Sequence, residues 1–148
     1  MKIKDIITER RSGAMQYLKQ LLPSTPEYVL QDFVYKHYKN DLKNIEPDII
    51  EWLNSLQWQQ KNVNVTMEVF DDFTQNRLKQ LIGDNSQTQD PRYATQQDIV
   101  KKTGSVSGEP IILTVDDGKY ELQEGWHRTV AGFKAYPDGF TIPAYIGT

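Results

Sequence analysis

Glu109-Pro-Ile-Ile-Leu-Thr-Val-Asp-Asp-Gly-Lys-Tyr-Glu-Leu-Gln-Glu-Gly-Trp-His-Arg-Thr-Val-Ala131 is the stretch whose reading decides the fold. Its opening apolar run predicts a strand over Ile111–Val115. Asp117-Gly118 is a hairpin signal, because glycine tolerates the positive φ that a tight two-residue turn demands. Tyr120–Gln123 is then the returning strand, and it runs into Gly125. A helix begins just after that glycine and continues through Thr129–Ala135.

Working outward, Pro137-Asp138-Gly139 is a turn and Ile142–Ile146 a last strand. Upstream, Val63, Val65, Met67 and Val69 alternate with polar residues, which predicts a half-buried strand over Val63–Val69. Asp71-Asp72 caps a following helix that carries Phe73, Leu78, Leu81 and Ile82 and ends near Gly83. Asn85–Gln89 reads as a surface loop, Thr95–Lys102 as a short helix stopped by Gly104, and Gly104–Gly108 as a loop. The N-terminal part has helical spacing. Ile3, Ile7, Met15, Leu18 and Leu22 form one face, interrupted by Gly13 and ended by Pro23. Ser24 or Thr25 is the expected cap of a second helix, with Pro26 in its first turn and Val29, Leu30, Phe33, Val34 and Tyr38 on its apolar face. A third helix starts near Pro47-Asp48 and carries Ile49, Ile50, Leu53 and Leu56. The fold class is α+β: residues 1–60 form a helical extension packed on the core, and residues 61–148 form a domain with a small mixed sheet.

Charge and composition exclude several classes. The chain has 148 residues, 17 basic and 20 acidic, for a net charge of -3, and residues 1–60 balance while 61–148 carry the excess acid. A chain that is acidic overall is not favoured as a direct DNA binder, which would also show steep salt dependence. There is no cysteine, which removes disulfides, thiolate metal sites and a cysteine nucleophile. No apolar run is long enough to span a bilayer and no secretion signal opens the chain, so a cytoplasmic location is expected, with no membrane partner.

The chemistry concentrates at Glu124-Gly-Trp-His-Arg-Thr129. The first N–H groups of a helix have no internal acceptor and carry a partial positive charge. Gly125 lets a ligand approach the backbone there, while His127, Arg128 and Thr129 add donors. That combination suits phosphate, and the arginine fork can hold two oxygens at once. Against it stands the plainer reading: His127 is a satisfied hydrogen-bonding residue and Arg128 pairs with a nearby acid such as Glu124. Trp126 either stacks on a nucleobase or packs the helix start on the sheet, and the second is favoured. Glu124 and Glu109 are candidates for a general base or a Mg²⁺ contact, or else solvated strand-end acids. His37 stands alone, which argues against a metal role. Glu9-Arg10-Arg11 is an exposed helix face. The Tyr28, Phe33, Tyr35 and Tyr38 cluster serves either the core or a protein partner, with core the favoured use.

The Pro110-Ile strand, the hairpin, the Gly125-Trp-His-Arg helix start and the strand Ile142-Pro-Ala-Tyr-Ile146 together resemble the ParB/sulfiredoxin superfamily, most closely over residues 90–148. The resemblance implies nucleotide binding, with phosphates at Gly125, His127 and Arg128, and a nucleotide with Mg²⁺ as the cofactor or substrate. It does not transfer a reaction. Sulfiredoxins need a cysteine between the Gly and the His, and here that position is Trp126. Partition-type ParB proteins have Glu-Arg after the Gly, where this chain has Trp126-His127, and they carry a helix-turn-helix domain that the remaining residues do not clearly supply. Glu124-Gly-Trp-His-Arg128 is similar to the Asp-Gly-His-His-Arg of the superfamily's small-molecule kinases, which leaves phosphoryl transfer open, beside the activity of the ParB-like nucleases. The alternative is a non-catalytic interaction module that binds a protein through its N-terminal helices.

Overall fold

The computed structural model describes residues 13–84 and 108–148, and the chain divides into two compact units between Trp58 and Gln59. Thr95–Lys102, Asn85–Gln89, most of the Gly104–Gly108 loop, Ile3, Ile7 and Glu9-Arg10-Arg11 lie outside the described residues.

In the first unit, α1 occupies residues 13–21, and Met15, Leu18 and Leu22 are all buried as their spacing requires. Pro23 cannot donate a backbone hydrogen bond, and the chain turns there. The second helix, α2, covers residues 27–38. Its N-cap is Pro26 rather than Ser24 or Thr25, and no side chain caps it. The reason is the turn before it: the Thr25 N–H bonds the Leu22 carbonyl at 3.2 Å, and the Thr25 hydroxyl is drawn into the interior, where its oxygen has no partner. Within α2, Leu30–Tyr35 is a π-turn. One extra residue per turn shifts the phase of the apolar face. Val29, Leu30 and Val34 are therefore buried, while Phe33, Tyr35 and Tyr38 pack half-buried against the same cluster. His37 donates from Nδ1 to the Phe33 carbonyl at 2.9 Å and meets the Phe33 ring edge-on. Helix α3 spans Pro47–Ser55, starting where expected, with Pro in the first turn and Asp48 against the dipole.

The second unit holds a four-stranded mixed sheet of order β1-β4-β2-β3. β1 is Trp58–Val65, so the expected strand at Val63–Val69 begins earlier and stops sooner. Val63 and Val65 are buried as alternation dictates, but Met67–Val69 forms a 3-10 turn that delivers Phe70 to full burial. Helix α4, Asp72–Gly83, is capped by Asp71, whose carboxylate accepts from the Thr74 N–H at 2.8 Å. Phe73, expected on its apolar face, is 67% exposed, and Thr74 takes the inward place. β2 is Ile111–Asp116 and β3 is Lys119–Glu124. They are antiparallel, joined by Asp117 at φ 50° and Gly118 at φ 75°. Two positive φ angles in succession give a type I′ turn, whose twist matches that of the strands.

Helix α5, Trp126–Ala135, carries the chain from β3 to β4, Phe140–Gly147, which pairs parallel to β2 on the other side. Phe133 meets Phe140 edge-on at 5.0 Å and Phe70 at 6.4 Å. Ile111, Leu113, Val130, Ile142 and Ala144 complete that core. β3 lies at the sheet edge, yet part of its backbone is engaged. The Tyr120 carbonyl accepts from Asp71 N–H at 2.9 Å, and the Leu122 N–H donates to the Thr74 hydroxyl at 3.3 Å. The segment leading into α4 thus shields that edge from strand addition. No helix among the described residues is long and apolar enough to cross a membrane.

Asp71 links cap and edge, so Asp71→Ala is expected to lower stability by about 1 kcal/mol through the lost cap. Urea denaturation should show a reduced midpoint with an unchanged slope. Glu121 on β3 supplies a second expectation. Burial raises its carboxyl above the ordinary glutamate range, Asp71 and Asp116 add to the rise, and a hydrogen bond from Gln123 opposes it. The folded chain therefore binds this proton more tightly than the unfolded chain. Stability is lost as pH rises from the ordinary range through the raised value. Glu121→Gln should stabilise the protein at pH 7 and leave it unchanged below about pH 4, measured by denaturant unfolding at both pH values.

Candidate functional site

The site is built where β3 hands over to α5. The β2–β3 register slips between Ile112, opposite Glu124, and Leu113, opposite Leu122. Gln123 is thus an extra residue, a bulge that bends the end of the strand. Its Nε2 donates to the buried Thr114 hydroxyl at 2.9 Å, which fixes the bulge to the neighbouring strand. Two residues on, Gly125 adopts φ 101°, ψ 26° as the N-cap of α5. A Cβ at this position would sit 2.4 Å from Cγ2 and 2.9 Å from Cβ of Ile111. Both the left-handed backbone and the contact with β2 exclude a side chain.

Glycine offers no oxygen to cap the helix, and the first intrahelical bond runs from Thr129 N–H to the Gly125 carbonyl at 3.0 Å. The amides of residues 126 to 128 precede that bond, so they lie in the part of a helix where N–H groups lack intrahelical acceptors. Thr129 does not join them as a donor to an anion. Its side chain is fully buried and its hydroxyl donates to the same Gly125 carbonyl at 2.9 Å. A buried hydroxyl must find an acceptor, and the carbonyl one turn back is the nearest available. Thr129 therefore fixes the start of the helix, and its expected place among the phosphate donors is corrected.

Arg128 is half-buried, and its Nη1 is fully shielded from solvent with no hydrogen-bond partner. Among the described residues it forms no ion pair, so the expected alternative of a pair with Glu124 is not formed. A charged N–H left in this state costs roughly 1–3 kcal/mol, which an anion would offset. His127 is half-buried and makes an interaction of its own. Trp126 is half-buried and packs against the sheet core. Glu124 ends β3 immediately before the glycine and is also engaged in a contact, whereas Glu109 is exposed before β2. Among the described residues no group of three or more His, Asp or Glu is arranged to hold a metal ion. A magnesium ion at this place would take most of its ligands from phosphate oxygens and water. Glu124 is the carboxylate the chain itself supplies beside the helix start.

The structure thus brings together Gly125, Trp126, His127 and Arg128 at one helix start, with Glu124 on its strand side. Sequence reasoning missed the bulge at Gln123 and the inward turn of Thr129. An alternating pattern carries no mark of a one-residue slip, but a threonine four residues after a helix-start glycine is a usable signal for the back-bond. No protein-family model matches the chain, and neither a curated protein nor a solved structure matches it.

Gly125→Ala combines a positive φ with a 2.4 Å collision. It is expected to cost roughly 2–4 kcal/mol, read as a drop in thermal midpoint and confirmed by denaturant unfolding.

Proposed function

We propose that residues 61–148 form a ParB/sulfiredoxin-like domain that binds the phosphate groups of a nucleotide or phosphorylated small molecule at the start of α5. Arg128 is the anchor, the backbone amides after Gly125 supply further donors, and His127 flanks them. The observation that carries this reading is the buried, unpartnered Nη1 of Arg128 beside a helix start whose cap is glycine. Such a group is stabilised by an oxyanion, and the positive end of the helix dipole favours the same charge. Order and spacing support the superfamily assignment: a strand entered through Pro110, a hairpin, a Gly-Trp-His-Arg helix start and a strand parallel to the first. Trp126 packs against the core, which favours a structural use of its ring over base stacking. If the bound group is a nucleotide with Mg²⁺, phosphoryl transfer or phosphodiester cleavage is the reaction class, with Glu124 as the candidate acid or base.

A thermal-shift series with nucleoside mono-, di- and triphosphates, each with and without Mg²⁺, tests this. Ligand at a hundred times its dissociation constant adds about 2.7 kcal/mol to the native state, enough to move the midpoint by several degrees. Arg128→Ala is expected to abolish the shift, while Thr129→Val lowers the midpoint of the free protein and keeps the shift. No response to any phosphate compound, with Arg128→Ala behaving as the parent does, would refute the binding role. The protein-interaction module would then be the reading that stands.

A further inference from the structure

The helical unit contains a cavity that nothing in the α5 site uses. It has a volume of about 520 Å³, and its lining includes Tyr17, Tyr35, Lys39, Asn40, Leu42 and Lys43. Its walls come from four places in the sequence: α1, the end of the π-turn in α2, residues 39–40 that follow α2, and the 3-10 turn Leu42–Asn44. Tyr17 is 37% exposed, and Tyr35 and Leu42 pack their inner sides against the helical core. Among the described residues nothing lies within 4 Å of the position a Cβ would take at Gly13.

The charge of this lining is one-sided. It contains two lysines and no carboxylate, in a chain whose net charge is -3. Among the described residues neither lysine is ion-paired, and the ion pair of this unit joins Lys19 to Glu27. Asp41, between the two lysines in sequence, is a bond acceptor for the Asn44 amide rather than a partner for either. Two tyrosines and a leucine therefore offer apolar contact, two lysines that form no ion pair among the described residues bring positive charge, and Asn40 brings an amide. Pockets of about 300–1,000 Å³ with mostly apolar walls and a few convergent polar groups are those that take small organic ligands.

We propose that this cavity is a binding site for a small flat anion, an aromatic acid whose ring lies against Tyr17, Tyr35 and Leu42 and whose carboxylate meets Lys39 and Lys43. This proposal is independent of the phosphate reading at α5. Its lining lies wholly within residues 13–43.

The test is a titration of the ¹⁵N-labelled full chain with 1-naphthoate and, separately, with the uncharged 1-naphthalenemethanol, followed residue by residue by NMR. Saturable shifts at residues 13–17, 35 and 39–43 are expected for naphthoate, with at least a tenfold weaker response to the alcohol. The double variant Lys39→Gln, Lys43→Gln changes exposed side chains and should leave the spectrum dispersed as in the parent. It should weaken naphthoate binding at least tenfold. The proposal is overturned by no saturable shift in this segment, by equal binding of acid and alcohol, or by full binding to the double variant. Shifts confined to residues 124–129 would also overturn it, assigning the anion to the α5 site instead.

Discussion

The contact between Gly125 and Ile111 is the constraint on which the α+β unit depends. The chain must leave the bulged end of β3, reverse into a helix and pass directly over the first residue of β2. Only a residue without a Cβ can take the left-handed backbone and the close approach together. Once that crossing is made, the orientation of α5 follows. Thr129 is carried inward, its amide and hydroxyl both bond the Gly125 carbonyl, and Val130 and Phe133 reach the core between Phe70 and Phe140. The same crossing leaves Arg128 with a shielded, unpartnered guanidinium nitrogen. Packing of the helix thus creates both the buried face and the polar demand on its first turn.

The edge of the sheet shows a related economy of backbone groups. β3 has β2 on one side only, and the residues that lead into α4 occupy the other. Asp71 serves two purposes there, since its amide bonds the Tyr120 carbonyl and its carboxylate caps the helix. Thr74 likewise gives its amide to Asp71 and its hydroxyl oxygen to Leu122 N–H. This explains why a threonine, and not the apolar Phe73 beside it, faces inward. A phenyl ring at that place would leave the Leu122 amide unbonded inside the protein, at a cost of roughly 1–3 kcal/mol.

Much of the architecture was legible from local pattern. Alternation in Val63 and Val65, the Asp117-Gly118 pair, Pro47 at a helix start and Pro23 at a helix end all act through the residue itself or its near neighbours. Their consequences hold wherever the segment is placed. The structure departs from the local pattern where a distant group intervenes. Thr25 looked like a cap, but its hydroxyl was drawn into the helical core. The strand at Val63–Val69 was cut short because Phe70 had to reach the interior. The π-turn at Leu30–Tyr35 was not legible in the apolar spacing, because the same residues also fit an unbroken α-helical face and only their degree of burial differs.

The candidate site divides in the same way. The sequence alone determined that Gly125, His127 and Arg128 stand at a strand-to-helix junction, because glycine at such a junction and donors just after it are properties of consecutive residues. It also determined that no thiol chemistry is possible. Tertiary structure decided which of those donors remain available. The Thr129 hydroxyl bonds back within the helix, Trp126 packs half-buried against the core, and one guanidinium nitrogen of Arg128 is shielded without an acceptor. Tertiary structure also brought Tyr17, Tyr35, Lys39 and Lys43 around one cavity, from segments whose separation along the chain hides any relation. Burial and hydrogen-bond satisfaction depend on what the rest of the chain places nearby, and no local pattern records that.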